Sequence, residues 1–216
     1  ELISRFISKW FEILDKEELE KGDIPPEVLK GDGKIKFNIG SYVTMFHHGW
    51  RNLDIHDLGQ YAQQNRYIYE PCDVRNGLPC KTGTADLLMM CHVLEHFTYK
   101  DGLSLLRECR RAIRPDGVMR IIVPDAKLLM QMALDGTISE LDEINDGAAA
   151  CKTPTGKFWE LVHSGHAAAY DTETLVSQLE DAGWNAHPQQ FRQSVSKQML
   201  RETLDMHPAL YCFCDA

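Results

Sequence analysis

Ionisable side chains follow the most apolar segment in the middle of the chain. Residues 86–90 are almost continuously apolar, and Cys91-His92-Val93-Leu94-Glu95-His96 comes directly after them. Histidines and a carboxylate at the mouth of a buried strand are unusual, because burying polar groups costs free energy unless they are paired. His92, Glu95 and His96 are therefore candidates for a general base, a cofactor contact or a metal ligand. The alternative is a hydrogen-bonded structural cluster that orients the turn.

Two other predicted strands end in residues typical of nucleotide sites. Gly40-Ser41-Tyr42 follows the predicted strand 34–39, and a glycine there allows a tight turn and a close approach of the backbone to a ligand. Asp54 lies at the end of the predicted strand 50–55, where a carboxylate can accept hydrogen bonds from ribose hydroxyls. The order of strand, glycine turn, strand and acid is the mononucleotide-binding arrangement.

A third candidate follows the short predicted strand 67–69. Asp73 can accept a hydrogen bond from an adenine amino group while Val74 packs against the ring. Asp73 can equally form a side-chain turn before Gly77. Both readings stay open at the level of sequence.

The hydrophobic periodicity alternates between strands and helices over most of the chain. It predicts helices at 101–114, with Asp101 as N-cap, and at 172–182, and further strands at 118–123 and 209–214. This alternation indicates an α/β fold with a Rossmann-like, doubly wound, mostly parallel sheet.

Two segments lie outside this alternation. Residues 1–30 contain apolar positions at helical spacing and then Pro25-Pro26, which predicts an amphipathic helix and linker before a domain spanning 31–216. The polar face of that helix mixes both charge signs, which favours docking on protein over binding to a membrane. Residues 135–165 are rich in glycine and alanine, and we expect an insertion or lid there.

Composition limits the class of protein. The chain has 216 residues, 44% hydrophobic and 25% charged, and its formal net charge of −9 disfavours a nucleic-acid partner. No apolar run is long enough to span a bilayer. Seven scattered cysteines without a CxxC pair are typical of a reduced, cytoplasmic protein. They are Cys72, Cys80, Cys91, Cys109, Cys151, Cys212 and Cys214.

The ordered set of motifs resembles the class I methyltransferases that use S-adenosylmethionine (SAM), particularly the small bacterial type similar to methyltransferase type 11. Each piece is weak alone, but the resemblance extends from about Lys34 to the C-terminus. The matching stretches are Asn38-Ile39-Gly40, Gly49 to Asp54, Asp73 to Pro79, Ala85-Asp86-Leu87, His92 to His96, Leu105 to Arg111, Arg114 to Gly117, Arg120 to Asp125, His166 to Asp171, Leu175 and Ala182-Gly183-Trp184.

The resemblance implies an antiparallel C-terminal strand and a SAM site. The cofactor contacts it implies are Gly40, Ser41, Tyr42, Asp54, Asp73, Val74, Cys91 and His92. The chemistry it implies is methyl transfer to an oxygen or nitrogen of a small-molecule or glycan-type acceptor. We predict His92, His96 and His166 as candidate bases and no resident metal ion.

The chain departs from this family at Tyr42, where a second small residue is usual. The departure motivates an alternative, a non-catalytic methyltransferase-like module that acts through a partner protein. In that case the N-terminal helix could equally form a surface for a partner or for a homodimer. A further alternative is a metal-dependent enzyme that uses His92, His96 and His166 with His47, His48 and His163.

Overall fold

The computed structural model describes residues 32–142, 145–163, 165–190, 193–197, 199 and 211–216. The predicted N-terminal helix and linker at 1–30 lie outside these residues. Seven strands form one sheet in the order β3-β2-β1-β4-β5-β7-β6. They are β1 Lys36–Ile39, β2 Arg51–Asp54, β3 Ile68–Pro71, β4 Ala85–Cys91, β5 Ile113–Pro124, β6 His187–Gln189 and β7 Tyr211–Asp215.

The first five strands are parallel, and β7 is antiparallel to both β5 and β6. This confirms the predicted Rossmann-like sheet with its antiparallel C-terminal strand. Strand order reverses between β1 and β4, and ligands of open α/β sheets bind beside such a switch point. The register pairs Ile39 with both Leu53 and Met90, so the loops that follow β1, β2 and β4 begin at the same edge of the sheet.

Helices cover both faces of the sheet. In the described residues they are α1 Gly59–Gln64, α2 Tyr99–Ala112, α3 Ala126–Asp135, α4 Asp146–Ala150, α5 Pro154–His163 and α6 Thr172–Asp181. All seven residues of β4 are buried, as expected of a parallel strand with helices on both faces. Leu88 and Met90 point into one hydrophobic core, and Leu87 and Met89 point into the other.

The first core contains the buried faces of α2 and α6, and the second contains residues of α3 and the segment after it. Leu106 and Leu179 pack in the first core, whereas Leu129, Ile138 and Leu141 pack in the second. The segment 135–165 is therefore mainly helical, with a 3-10 turn at Thr137–Leu141 followed by α4 and α5. It extends the helical layer on one face of the sheet.

A buried ion pair attaches the C-terminal strand. Arg120 on β5 donates to Asp215 Oδ1 on β7 over 2.9 Å, and both side chains are inaccessible to solvent. Arg120 also donates to the Gln193 carbonyl, and Asp215 Oδ2 accepts from the Val195 amide. Additional hydrogen bonds of this kind compensate the desolvation of a buried pair.

Several predicted boundaries are corrected by the structure. Helix α2 begins at Tyr99 and its N-cap is Thr98, whose Oγ1 accepts from the Asp101 amide, so Asp101 lies in the first turn. The helix ends at Ala112, and Ile113–Pro124 is one strand. In the described part of the chain, no helix is both long and apolar enough to cross a membrane.

Candidate active site

A cavity of about 1250 Å³ opens at the carboxyl ends of the parallel strands. Its wall is formed by the loops that follow β1, β2, β3 and β4 and by the start of α2. Of the predicted site residues, those that line it are Gly40, Tyr42, Asp54, Asp73, Val74, Cys91, His92 and His96. The sheet register explains this grouping, because Gly40, Asp54 and Cys91 each lie at or just beyond the aligned ends of neighbouring strands.

The loop after β1 depends on the missing side chain of Gly40. Its φ of +65° favours glycine, and a Cβ there would lie 2.4 Å from Val93 Cγ2. The Gly40 amide donates to the Leu53 carbonyl over 2.8 Å. The loop can therefore approach the segment after β4 closely, and at Gly40 the cavity wall is formed by the backbone.

Tyr42 has a backbone conformation that is rare for a residue with a side chain. Its φ is 35° and its ψ is 175°, in a region populated almost only by glycine. The Tyr42 ring lies edge-on to the His56 ring, with centroids 6.0 Å apart, and lines the cavity. The chain thus keeps the backbone shape that a glycine would favour at this position.

Asp54 is largely buried at the end of β2, and its carboxylate connects two loops. Oδ2 accepts from the Tyr42 amide over 2.8 Å, and Oδ1 accepts from the His56 amide over 2.9 Å. Asp54 therefore fixes the conformation of the strained loop. Each carboxylate oxygen can accept a second hydrogen bond, so the residue still has acceptor capacity toward the cavity.

Asp73 forms the side-chain turn that the sequence left open as one reading. Its Oδ1 accepts from the Arg75 amide, and its carboxylate forms a two-point ion pair with the Arg75 guanidinium at 2.7 and 2.8 Å. The side-chain hydrogen bond from Arg75 lowers the pKa of Asp73. Val74 lines the cavity beside it.

Ser41 does not line the cavity. Its side chain is buried, and its hydroxyl faces the Leu53 carbonyl at 3.4 Å. We therefore leave Ser41 out of the proposed cofactor site. Cys91 is the last residue of β4 and reaches the cavity wall, although only 3% of it is exposed.

Glu95 is the buried centre of the histidine-rich turn after β4. His92 Nδ1 lies 3.0 Å from Glu95 Oε1, whereas Glu95 Oε2 is buried without a hydrogen-bond partner in the described residues. Burial opposes ionisation of this carboxyl group, but the hydrogen bond from His92 and the charges of the nearby histidines lower the pKa of Glu95. Glu95 is thus an anion in a site with little access to water.

His96 and His166 meet beside Glu95 although 70 positions separate them in sequence. Their ring centroids lie 4.9 Å apart. His96 Nδ1 donates to the Gly165 carbonyl over 2.9 Å and His166 Nδ1 to the Val162 carbonyl over 3.0 Å. Burial lowers the pKa of His166, even though the Glu95 carboxylate raises it. His166 therefore favours the neutral form that a base or metal ligand requires.

The other histidines of the metal hypothesis lie elsewhere. His48 stacks on Tyr67, with ring centroids 4.1 Å apart, and His47 lies beside Trp50. His163, at the end of α5, packs its ring against Trp159. The alternative of six converging histidines is therefore not supported, since of the six it is His92, His96 and His166 that lie around Glu95.

Several cavity residues were missed by the sequence reasoning, among them two with ionisable side chains. His56 and Arg75 line the cavity, and each lies two positions after a predicted ligand contact, Asp54 or Asp73. Their position just beyond strand ends was the available clue. Which of the loop side chains turn toward the cavity depends on loop backbone geometry that periodicity does not give.

Comparison with known proteins agrees with this architecture. A family model described as a methyltransferase domain matches residues 53–121. No curated protein matches the chain at a significant level. Residues 53–121 contain Asp54, the Asp73 turn and the Glu95 turn, which form three parts of the cavity wall.

Solved structures of SAM-dependent methyltransferases share the fold. One from Archaeoglobus fulgidus is 15% identical with a TM-score of 0.52, covering 96% of this chain and 93% of that one. One from Mesorhizobium loti is 16% identical with a TM-score of 0.52, covering 88% and 93%. One from Thermotoga maritima is 12% identical with a TM-score of 0.51, covering 84% and 80%. Residues 53–121 therefore match a methyltransferase domain, and the described chain has the fold of these SAM-dependent methyltransferases.

Proposed function

We propose that the protein transfers a methyl group from SAM to an oxygen or nitrogen of a small-molecule or glycan-type acceptor. One observation carries this proposal: a single cavity at the switch point joins the glycine loop and two strand-end carboxylates to a group of histidines. SAM supplies an electrophilic methyl group on its sulfonium. The protein has to position donor and acceptor and to accept a proton.

The residues at the ends of β1, β2 and β3 fit the cofactor. Asp54 would accept the ribose hydroxyls with the acceptor capacity that its two backbone hydrogen bonds leave. Val74 would pack against adenine, with Asp73 near its amino group. The backbone of Gly40 and Tyr42 would border the methionine part, because the absent side chain of Gly40 keeps that wall close to Val93.

The histidines after β4 fit the acceptor side. His92 and His96 line the cavity, and His166 lies against His96. Because His96 Nδ1 and His166 Nδ1 donate to carbonyls, their Nε2 atoms carry the lone pair in the neutral form. A proton from an acceptor hydroxyl or amine would pass to His92, which lines the cavity and whose Nδ1 lies 3.0 Å from Glu95 Oε1.

The charge of the chain favours uncharged or cationic acceptors. A net charge of −9 raises the free energy of bringing a polyanion to the cavity. A homodimer, a cytoplasmic location and a lid formed by 135–165 stay predictions.

The test is release of S-adenosylhomocysteine in the presence of a panel of hydroxylated and amino compounds. Turnover with any acceptor, reduced at least about tenfold in His92→Gln, is the expected result for a general base. A protein that binds SAM but gives no turnover across the panel would favour the non-catalytic alternative, in which a partner protein is the target. His187→Gln, which changes an exposed histidine on β6, is the matched control.

A further inference from the structure

Three side chains beside the cavity, from the turn after β4 and from the segment 165–170, lie close enough together to bind one ion. Glu95, His96 and His166 each offer one ligating atom, and these atoms all lie within 4.8 Å of one another. Ligands of a zinc ion lie about 2.0–2.2 Å from it, so two of them are separated by at most about 4.4 Å. Small side-chain rotations would therefore bring the three atoms to one ion.

In both imidazoles Nδ1 is hydrogen-bonded to the backbone, which leaves Nε2 for a ligand. His96 Nδ1 donates to the Gly165 carbonyl and His166 Nδ1 to the Val162 carbonyl. A carbonyl oxygen only accepts, so Nδ1 carries the hydrogen and Nε2 the lone pair in each neutral ring. Metal-binding histidines are typically oriented by this kind of hydrogen bond from the second nitrogen.

The buried carboxylate has unused ligating capacity. Glu95 is 1% exposed, and its Oε2 has no hydrogen-bond partner among the residues that the structure describes. A purely structural cluster would satisfy both oxygens, because a buried polar atom without a partner costs on the order of 1–3 kcal/mol. His92 Nδ1 lies 3.0 Å from the other oxygen, Oε1.

The backbone fixes the distance between the two parts of the cluster. The amides of Ala167 and Ala168 both donate to the Glu95 carbonyl, over 2.8 and 3.0 Å. The Ala126 amide donates to the Tyr170 carbonyl and attaches the same segment to the end of β5. His166 is therefore held against Glu95 and His96 by main-chain bonds.

We propose that Glu95, His96 and His166 form a binding site for a divalent transition-metal ion beside the methyl-transfer cavity. Two imidazoles and one carboxylate suit ions such as Zn²⁺ or Fe²⁺, whereas Mg²⁺ and Ca²⁺ prefer sites made of oxygen atoms. Three protein ligands leave coordination positions open. His96 lines the cavity, so an acceptor hydroxyl could occupy one of them. That use of the ion rests on the proposed function, but the binding site itself does not.

Calorimetric titration of tag-free, chelator-treated protein with Zn²⁺ tests the site. We expect one ion per chain with micromolar or tighter affinity and no comparable binding of Mg²⁺. His166→Gln and Glu95→Gln should weaken binding by roughly 100-fold. The matched controls, His163→Gln and Glu140→Gln, change exposed residues outside the cluster and should alter the affinity by less than about twofold. Equal losses in the controls, or unchanged affinity in His166→Gln, would overturn the proposal.

A second readout covers a variant that fails to fold. Co²⁺ bound by imidazole and carboxylate ligands absorbs visible light. This absorption should appear with wild-type protein and be lost in His166→Gln, so the site can be tested even if Glu95→Gln does not fold. Absence of both Zn²⁺ binding and the Co²⁺ spectrum in folded wild-type protein would also overturn the site. SAM binding is measured on the same metal-free sample, which separates failure of the metal site from failure of the proposed function.

Discussion

The carboxylates at the two ends of the cavity differ in their hydrogen-bond partners. At the β2–β3 end, formed by the loops after β1, β2 and β3, Asp54 binds two backbone amides and Asp73 is paired with Arg75. At the histidine end, formed by the turn after β4 and the segment 165–170, Glu95 Oε2 has no hydrogen-bond partner in the described residues. At the first end the chain supplies hydrogen-bond partners to both carboxylates, whereas at the second end one buried carboxylate oxygen has none in the described residues.

The difference shows that carboxylates at the ends of neighbouring strands can have different roles, one in loop structure and one in ligand binding. A carboxylate that accepts backbone amides determines loop shape, and its mutation should affect both stability and cofactor binding. A carboxylate that lies among imidazoles and has one oxygen without a hydrogen bond has little effect on loop conformation. Its main effect is the negative charge that it places in the site. The following experiments test whether the two ends differ in this way.

Gly40→Ala should produce the largest loss of stability at the β2–β3 end. A positive φ costs a residue with a side chain about 1–2 kcal/mol, and overpacking against Val93 adds about 1–3 kcal/mol. Urea denaturation of the variant should therefore show a loss of roughly 2–4 kcal/mol. Adding Val93→Ala should recover part of it, and strictly additive effects of the two changes would contradict the proposed contact.

The stability of the β2–β3 end should also depend on pH through His47. Burial, followed by the charges of His48 and Lys36, lowers the pKa of His47 from 6.5 to about 4. The unfolded chain binds a proton at His47 more readily than the folded chain does. The contribution of neutral His47 to the free energy of unfolding is therefore complete above pH 6.5 and is lost as the pH falls toward 4. The expected slope is up to about 1.4 kcal/mol per pH unit.

Denaturation curves across this pH range would measure the His47 effect. His47→Gln should flatten the curve, whereas His187→Gln should leave it unchanged. An equally steep curve in His47→Gln would assign the pH dependence to other groups, including the histidine end.

Tyr42→Gly should stabilise the protein by about 1 kcal/mol, since it removes a strained φ of 35°. It should also strengthen SAM binding if the ring crowds the cavity. A fall in affinity on calorimetry would mean instead that the Tyr42 ring is part of a remodelled pocket.

Asp73→Ala should have the smallest effect on stability. Its ion pair with Arg75 is exposed, and exposed pairs contribute little to stability because water and salt screen them. We expect the midpoint of thermal unfolding to stay close to that of the wild type, with SAM affinity reduced less than in a variant of Asp54. A large loss of stability on thermal unfolding would contradict the assignment of Asp73 to a surface turn.

The sheet could be predicted from the sequence because buried parallel strands are continuous apolar runs. The acids Asp54 and Asp73 could be predicted as site residues because the residues that follow parallel strands lie at one edge of the sheet. Sequence reasoning did not predict that the Ser41 side chain is buried outside the cavity lining or that Thr98 rather than Asp101 caps α2. Both outcomes depend on local backbone geometry that periodicity does not encode.

The contact between His96 and His166 could not be predicted either. It requires main-chain bonds from Ala167 and Ala168 to Glu95, across a long stretch of sequence. Similarly, the helices within 135–165 were hidden by glycine and alanine, although Asn145 caps α4 through the Ala148 amide. Whether such segments form helices depends on their tertiary packing.

The most direct test of the account is calorimetric titration of the protein with SAM and with S-adenosylhomocysteine. The account predicts micromolar binding of both ligands, weakened at least about tenfold in Asp54→Asn because a ribose contact is worth on the order of 1.4 kcal/mol or more. The control Asp135→Asn, an exposed aspartate at the end of α3, should bind like the wild type. No binding of either ligand at millimolar concentration, or equal affinity in Asp54→Asn, would contradict the proposed cofactor site.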